Sequence, residues 1–408
     1  MTPDECEKYS NAIIISILKA TEELNHLKDV DTILDKILLE ARRLSQADAG
    51  SIFLIEEDRL RFSYVHNDTL FRKDESNAAL YEDYAIPVND KSIVGNAAIT
   101  GNTLIIADAY AIPGGVPYAF DPSYDQKSGY RTQSIFTIPL KTFEDKVVGV
   151  MQLINAKNEQ GRVIPFSAGS QIYVPLFANS ASLAIERGIM NRKLILRMMK
   201  MAELRDPAET GAHVQRVGAY SAEIYQKWAI RHGVSRRKMR RKRDLLRLAA
   251  MLHDVGKVGI SDTILKKPAK LTDQEYAIMK WHTVYGARLF ANEASTLDKM
   301  CRDIAMNHHE RWIGGGYPGK IPDIMAGEAE LGRPRKGGEI PLYARITALA
   351  DVFDALGSKR SYKNPWPDEK IILTIEEGSG THFDPEIVEI FFEIFDVIKA
   401  IREKFREK

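Results

Sequence analysis

The chain has 408 residues, of which 44% are hydrophobic and 28% are charged. This length and composition predict two or three globular domains, each with enough apolar residues to form a core. The 57 basic and 56 acidic residues leave a net charge of +1. Such a balance argues against DNA or RNA as a partner, because proteins that bind nucleic acid usually carry an excess of basic residues.

Only two cysteines occur, Cys6 and Cys301, and they lie far apart in the sequence. This excludes a disulfide framework, so we expect a reducing, cytoplasmic setting. The longest early apolar run, residues 12–18, is too short to span a bilayer, and no small-residue cleavage site follows it. We therefore expect no membrane partner.

The first half of the chain alternates between helical and strand-like patterns. Residues 1–27 are expected to form an N-terminal helix, and apolar residues recur at helical spacing from 28 to 46. Strand-like runs bounded by Gly, Asp and Asn follow at 50–55, 60–65, 103–107, 134–140 and 146–154. These elements predict an α+β domain over residues 28–175, with an antiparallel sheet and flanking helices.

Residues 168 to about 205 read as one long helix. Its apolar residues form a stripe close to a heptad repeat: Leu176, Leu183, Met190, Leu194, Met198 and Met201. Such a stripe favours parallel pairing of two copies, so residues 176–206 are predicted to be a signalling helix that forms a homodimer. The alternative is a helix that packs on its own domain. Residues 207–408 are predicted to form an all-α domain, with loops around 256–274 and 313–341.

The second half concentrates residues that bind metals. His253 and Asp254 end an apolar helical run and precede a glycine turn, and Asp351 lies within an apolar helical stretch. Buried imidazoles and carboxylates are unfavourable unless something binds them. Four of the six further histidines in the same half are also candidates: His213, His282, His308 and His309. Together these residues indicate a metal site.

These motifs resemble a known family. The pair His253-Asp254 resembles the doublet of the HD superfamily of metal-dependent phosphohydrolases, and residues 308–318, HHERWIGGGYP, resemble the HHExxxGxGYP motif of its HD-GYP subfamily. Residues 209–216, residues 270–272 together with His282, and residues 350–356 resemble the other motifs of that subfamily, in the same order. The resemblance implies hydrolysis of the bacterial messenger cyclic di-GMP at a binuclear or trinuclear metal centre.

The resemblance also implies the metal ligands. Carried over by motif, they are Glu209, His213, His253, Asp254, His282, His308, His309 and Asp351. Imidazole and carboxylate ligands without a thiolate favour iron or manganese over a structural zinc site. Because members of the subfamily that retain the early Glu tend to hold three metals, the resemblance implies trinuclear iron through Glu209, and a binuclear centre or manganese is the alternative.

The expected reaction is attack on phosphorus by a hydroxide that bridges the metals, which gives linear pGpG, GMP or both. Asp254 and Lys257 are the predicted catalytic residues, with Lys257 as a cation for the phosphoryl oxygens. Substrate contacts are predicted for Lys257, Tyr317, Asp354, Arg360 and Lys363. The alternatives are a phosphodiesterase for another cyclic dinucleotide and a catalytically silent scaffold that binds cyclic dinucleotides. An oxygenase is disfavoured by the HHExxxGxGYP motif.

Three further segments carry weaker signals. Residues 28–190 resemble a GAF domain in their order of helices and strands, in the strand pair 134–140 and 146–154, and in residues 153–157, LINAK. This resemblance implies regulation by an unknown small ligand, and a dimerisation module with an empty pocket is the alternative. Residues 323–338 are interpreted as an insertion relative to that subfamily. The insertion is expected to be either a mobile loop that covers the site or an inert surface loop. The basic run at 236–243 is interpreted as a solvated helix face.

Overall fold

The computed structural model describes residues 30–56, 58–71, 85–205, 211–292, 295–327, 331–358 and 365–405. The chain divides into two compact units between Arg192 and Lys193. This division falls inside the long helix Ala168–Arg205, whose prediction is confirmed. The predicted N-terminal helix at 1–27 lies outside the described residues.

The first unit contains one antiparallel sheet. Its strands are β1 Ala47–Glu56, β2 Arg59–Asn67, β3 Ala85–Pro87, β4 Leu104–Ile106, β5 Ile135–Lys141, β6 Val147–Lys157 and β7 Val163–Ile164. Their order is β3-β2-β1-β6-β5-β4, and β7 also pairs with β6. All five predicted strands are confirmed, whereas the short β3 and β7 were not predicted.

Helices cover this sheet. They are α1 Val30–Leu44, α2 Asp68–Phe71, α3 Ile93–Thr100, α4 Ser123–Ser128 and α5 Ala168–Arg205. One face of the sheet carries Ile52 and Met151, which are paired in register and buried against Leu34 of α1 and Phe177 of α5. The opposite face carries Phe53, which packs toward α3. This alternation along β1 follows the two-residue period of a strand.

The described part of the second unit is helical after the end of α5. Its helices are α6 Gly211–Arg231, α7 Arg236–Ala250, α8 Asp262–Leu265, α9 Asp273–Lys280, α10 His282–Leu289, α11 Thr296–Asn307, α12 Leu342–Gly357, α13 Asp368–Glu377, α14 Pro385–Glu393 and α15 Phe395–Lys404. Tyr220, Leu246, Phe353 and Phe391 lie in their common core. This agrees with the predicted all-α domain. None of the described helices is both long and apolar enough to cross a membrane.

A close approach of two backbones positions the site. A 3-10 turn, Val255–Gly259, follows α7 and lies against the start of α10. A Cβ atom at Gly256 would lie 1.9 Å from the carbonyl oxygen of His282. Only glycine fits here without displacing the backbone, so Gly256 lets the end of α7 and the start of α10 meet.

Candidate metal centre

The site is built around the pair that ends α7. His253 is fully buried and Asp254 is 8% exposed. His253 Nδ1 lies 2.8 Å from the carbonyl oxygen of Ala250. A carbonyl oxygen can only accept a hydrogen bond, so Nδ1 carries the proton and the neutral ring presents the Nε2 lone pair to its surroundings. That is the tautomer a metal ligand requires.

Two more histidines are held in the same way. His282 is the first residue of α10, and its Nδ1 donates to the carbonyl oxygen of Met279 at 2.7 Å. His308 follows α11, and its Nδ1 lies 3.0 Å from the carbonyl oxygen of Ile304. Both rings are 2% exposed. Helix ends therefore orient three imidazoles with Nε2 available for coordination.

Asp254 faces two of these rings. Its Oδ1 lies 3.0 Å from His282 Nε2 and 3.5 Å from His308 Nε2. His309 completes this group, and the four ligand atoms lie within 4.8 Å of one another. Three imidazoles and a carboxylate at this separation have the donor types and spacing of a divalent metal site.

A second group of ligands adjoins the first. His213, His253 and Asp351 have ligand atoms within 4.8 Å of one another. Asp351 Oδ1 lies 3.5 Å from His213 Nε2 and 3.8 Å from His253 Nε2. His253 Nε2 is also 3.3 Å from Asp254 Oδ2, so the two groups are in contact. Seven of the eight predicted ligands are thus brought together, and Glu209 lies outside the described residues.

The placement of Asp354 differs from the predicted contact with substrate. Asp354 is 1% exposed and lies behind His213, whose Nδ1 donates to Oδ2 at 2.8 Å. Arg216 donates to both carboxylate oxygens, at 2.6 and 2.9 Å, and Ser358 donates to Oδ2 at 3.0 Å. These bonds occupy the carboxylate, so in this structure Asp354 orients His213, a candidate metal ligand, and is not directed at a substrate site.

The electrostatics of the site favour neutral rings at His308 and His309 and an ionised Asp354. Burial lowers the pKa of His308 and lowers that of His309 well below the usual range. Burial alone would raise the pKa of Asp354, but hydrogen bonds from His213 and Arg216 hold it at about 2. Neutral rings beside fixed carboxylates form a negatively charged ligand set, which suits cations.

Two predicted substrate contacts border the ligands. Lys257 Nζ lies 2.9 Å from Asp254 Oδ2, and its side chain is 22% exposed. The Tyr317 ring stacks on His309, with centroids 4.8 Å apart and an interplanar angle of 29°. Arg360 and Lys363 lie outside the described residues. Lys257 and Tyr317 thus lie beside the candidate ligands, and their contact with substrate stays a prediction.

The second described part of the 323–338 insertion is hydrogen-bonded to the motif loop. Gly332 N donates to the carbonyl oxygen of Pro318 at 2.8 Å, and Gly337 N donates to that of Trp312 at 2.8 Å. Glu310, which is 2% exposed, accepts bonds from Gly319 N at 2.7 Å and Arg335 N at 3.1 Å. Residues 328–330 are not described. The role of the insertion as a mobile cover stays a prediction, but these bonds fix its second part, residues 332–337, to the motif loop.

Sequence reasoning missed two side chains near the centre. Tyr276 and Lys280 lie one turn apart on α9, directly before His282. Lys280 Nζ is 4.9 Å from the Tyr276 ring centroid and 5.6 Å from that of Tyr317. The available signal was their position in the sequence, since they lie six and two residues before the predicted ligand His282 and four residues from each other.

The first unit contains a cavity of about 390 Å³ beside the Phe53 face of the sheet. Ser51, Phe53, Phe62, Lys91 and Gln152 are among the residues that line it. The cavity thus offers an apolar site with a few polar groups.

Asn155 and Lys157, which carried part of the GAF resemblance, form hydrogen bonds and an ion pair inside this unit. Asn155 donates to Tyr130 and Arg131, and Lys157 pairs with Asp48.

Comparison with protein families assigns both halves of the chain. Residues 29–185 match the family model of the GAF domain. Residues 210–356 match the family model of the HD domain. The HD match includes every described candidate ligand, from His213 to Asp351.

Several curated proteins are similar to the second half. A 3′3′-cGAMP-specific phosphodiesterase 2 of Vibrio cholerae serotype O1 is 38% identical over 229 residues, which cover 56% of this chain and 40% of that protein. A cyclic di-GMP phosphodiesterase of the same organism is 39% identical, covering 52% of this chain and 41% of that protein. Another of that name from Thermotoga maritima is 40% identical, covering 52% of each. The chain spans about two fifths to one half of the length of these relatives.

Proposed function

We propose that this chain, which carries a GAF domain followed by an HD domain, is a metal-dependent phosphodiesterase for cyclic di-GMP. The observation that carries the proposal is the contact between two groups of ligands, joined where His253 meets Asp254. Lys257 and Tyr317 border these ligands on the side of the motif loop. Paired metal sites of this kind are suited to displacement at phosphorus.

The residues present fit divalent metals. Three imidazoles donate Nδ1–H to backbone carbonyls and one donates to Asp354, so each Nε2 is left with a lone pair. Within the described chain, Nε2 of His282 and of His308 makes no hydrogen bond of good geometry. Metals held here would lower the pKa of a bound water and withdraw electron density from the phosphoryl group.

The side chains of the protein supply the remaining requirements. Lys257, beside Asp254, places a cation where charge develops on the phosphoryl oxygens. The exposed part of Tyr317 gives a base an aromatic surface next to His309. Asp354 keeps His213 in the tautomer that binds metal. Each role depends on the neutral rings and the ionised carboxylates described above.

We further propose that the metal is iron and that Glu209 adds a third ion, with manganese or a binuclear centre as the alternative. The support is the ligand chemistry, since the described ligands are imidazoles and carboxylates with no thiolate among them. Replacing Glu209 with Ala tests the third ion. The variant should lose one metal equivalent by elemental analysis of anaerobically prepared protein, and unchanged metal content contradicts it.

The alternative substrate is 3′3′-cGAMP, because two relatives from Vibrio cholerae are named as specific for it. Anaerobic turnover of both cyclic dinucleotides, followed by chromatography of the products, separates the two. We expect faster cleavage of cyclic di-GMP, to pGpG or GMP, without dioxygen. If the protein cleaves 3′3′-cGAMP faster, 3′3′-cGAMP takes the place of cyclic di-GMP as the proposed substrate. If it binds either cyclic dinucleotide without cleaving it, the result favours a catalytically silent signalling scaffold.

We also propose that the GAF domain regulates this activity and that α5 forms a homodimer. All six stripe residues are at least 40% exposed, whereas Phe177, Ala181 and Ile185 on the same helix are buried. A row of exposed apolar residues at near-heptad spacing is suited to a second copy of the helix. The cavity beside β1 is the proposed site of the unknown ligand.

A further inference from the structure

We propose that Lys280 and Tyr276 form, with Tyr317, a clamp for the half of the substrate that is not being cleaved. Lys280 would bind the second phosphate of a cyclic dinucleotide, and Tyr276 would contact the adjoining base. This inference rests on the proposed function and names two substrate contacts outside the motifs.

The geometry links α9 to the metal ligands through a chain of aromatic rings. Tyr317 stacks on His309, and Tyr276 meets Tyr317 edge to face, with centroids 6.3 Å apart at 82°. Tyr276 is 45% exposed, so much of its ring is available to a ligand. A purine can lie against such a surface without displacing a packed side chain.

Hydrogen bonds hold α9 at both of its ends. The helix begins with a capping box, in which Thr272 accepts from Glu275 N and Glu275 accepts from Thr272 N. At the other end, His282 donates Nδ1–H to Met279, and Thr283 donates to Lys280 O. The backbone of Lys280 is thus held by the same turn that orients a metal ligand.

The charge of Lys280 is not matched by a carboxylate. Lys257 is paired with Asp254, and Lys267 is paired with Glu275 at the start of α9. Lys280 forms no ion pair within the part of the chain that the structure describes; its Nζ lies over two tyrosine rings instead. An ammonium held against aromatic faces beside a metal centre is suited to an anionic group of the ligand.

Two phosphates distinguish a cyclic dinucleotide from a simple diester. While one phosphate is cleaved at the metals, the other must lie elsewhere on the protein. Lys257 lies with Asp254, so it serves the reacting phosphate, whereas Lys280 lies against the rings of Tyr276 and Tyr317 and contacts no carboxylate among the described residues. The division predicts that loss of Lys280 weakens substrate binding without slowing the chemical step.

The test uses the full, metal-loaded chain and two substrates. Lys280→Gln should raise KM for cyclic di-GMP about tenfold or more, because a charge-assisted hydrogen bond is lost, and should leave kcat within about twofold. Both constants for bis(p-nitrophenyl) phosphate, which has one phosphate and no purine, should be unchanged. Lys280→Arg should restore most of the affinity, and Tyr276→Phe should bind more tightly than Tyr276→Ala. Lys299→Gln, at an exposed lysine of α11, is the matched control.

The outcomes separate the two proposals. If wild-type protein cleaves bis(p-nitrophenyl) phosphate but not a cyclic dinucleotide, the proposed function fails and this inference fails with it. If wild-type protein cleaves cyclic di-GMP and Lys280→Gln keeps the same KM, only the clamp is overturned. Equal losses on both substrates would show that Lys280 acts through the fold, which also overturns the clamp.

Discussion

At the scale of single residues, the group that accepts the hydrogen bond from Nδ1 decides how each candidate histidine is oriented. His253, His282 and His308 each donate Nδ1–H to a backbone carbonyl within the preceding turn. His213 donates instead to Asp354, which Arg216 also binds. Local turns therefore orient three ligands, and a distant carboxylate orients the fourth.

The role of Asp354 gives a prediction for metal affinity. Asp354→Asn should weaken metal binding about 10- to 100-fold, the usual effect of losing the partner of a ligating histidine. Titration of the metal-free variant with Mn²⁺, followed by calorimetry, measures the change. Asp396→Asn, at an exposed aspartate paired with Lys399, is the control. Affinity equal to wild type would contradict the assignment of Asp354.

Asp354 also predicts how stability depends on pH in metal-free protein. Its pKa is lowered from 3.8 to about 2, so its contribution is complete above about pH 4 and is lost as pH falls toward 2. That contribution is about 2 kcal/mol of the free energy of unfolding. The difference between wild type and Asp354→Asn, measured by urea unfolding, should be larger at pH 5 than at pH 2.5. A constant difference would contradict the low pKa.

At the scale of elements, the end of α5 holds the segment that follows the doublet. Arg205 Nη2 donates to the carbonyl oxygen of Ile260 at 2.8 Å, Nη1 donates to that of Val258, and Nε lies 3.3 Å from Asp262 Oδ1. The 3-10 turn before this segment carries Lys257. Arg205 thus connects a helix end to the turn that presents a predicted catalytic residue.

Arg205→Ala should loosen this turn. Loss of about 1 to 1.5 kcal/mol of hydrogen bonding should speed amide exchange at Ile260, which donates to the carbonyl oxygen of Lys257, by about tenfold. Hydrogen exchange followed by mass spectrometry measures it. Lys266→Ala, which removes another partner of Asp262, is the control and should have little effect. Equal exchange in Arg205→Ala and wild type would show that the turn is stable by itself.

The elements that the sequence predicted correctly are those with strong periodicity. Strands β1 and β6 follow alternating or continuous apolar runs, and α5 follows a long helical pattern. Strands β3 and β7 have three and two residues, which is too short for a period to be recognised. The role of Asp354 was missed for another reason. It depends on α6 meeting α12 across 141 residues of sequence, and no local pattern reports such a contact.

At the scale of the whole molecule, the exposed apolar stripe on α5 predicts that two copies of the chain associate. The stripe residues Leu183 and Met190 are 65% and 62% exposed. Burying such side chains in a second copy would stabilise a dimer by about 1.5 to 3 kcal/mol for each side chain. The predicted homodimer accounts for their exposure.

The double variant Leu183→Glu/Met190→Glu should convert a dimer into a monomer, because four carboxylates would face one another across the pairing. Sedimentation velocity measures the mass. Asn191→Glu, an exposed position on the same helix, adds a charge outside the stripe and should remain dimeric. If wild-type protein sediments as a monomer, or the double variant as a dimer, the stripe does not mediate association.

The claim that the two ligand groups form a hydrolytic metal centre is tested most directly by measuring turnover of cyclic di-GMP against metal bound per chain. Metal-free protein would be loaded anaerobically in steps, with metal content and linear product measured in each sample. We expect negligible turnover without metal and full turnover at two or more equivalents, one for each ligand group. Asp254→Asn should remain inactive throughout. Full turnover by chelator-treated, metal-free protein, or by Asp254→Asn, would contradict the account.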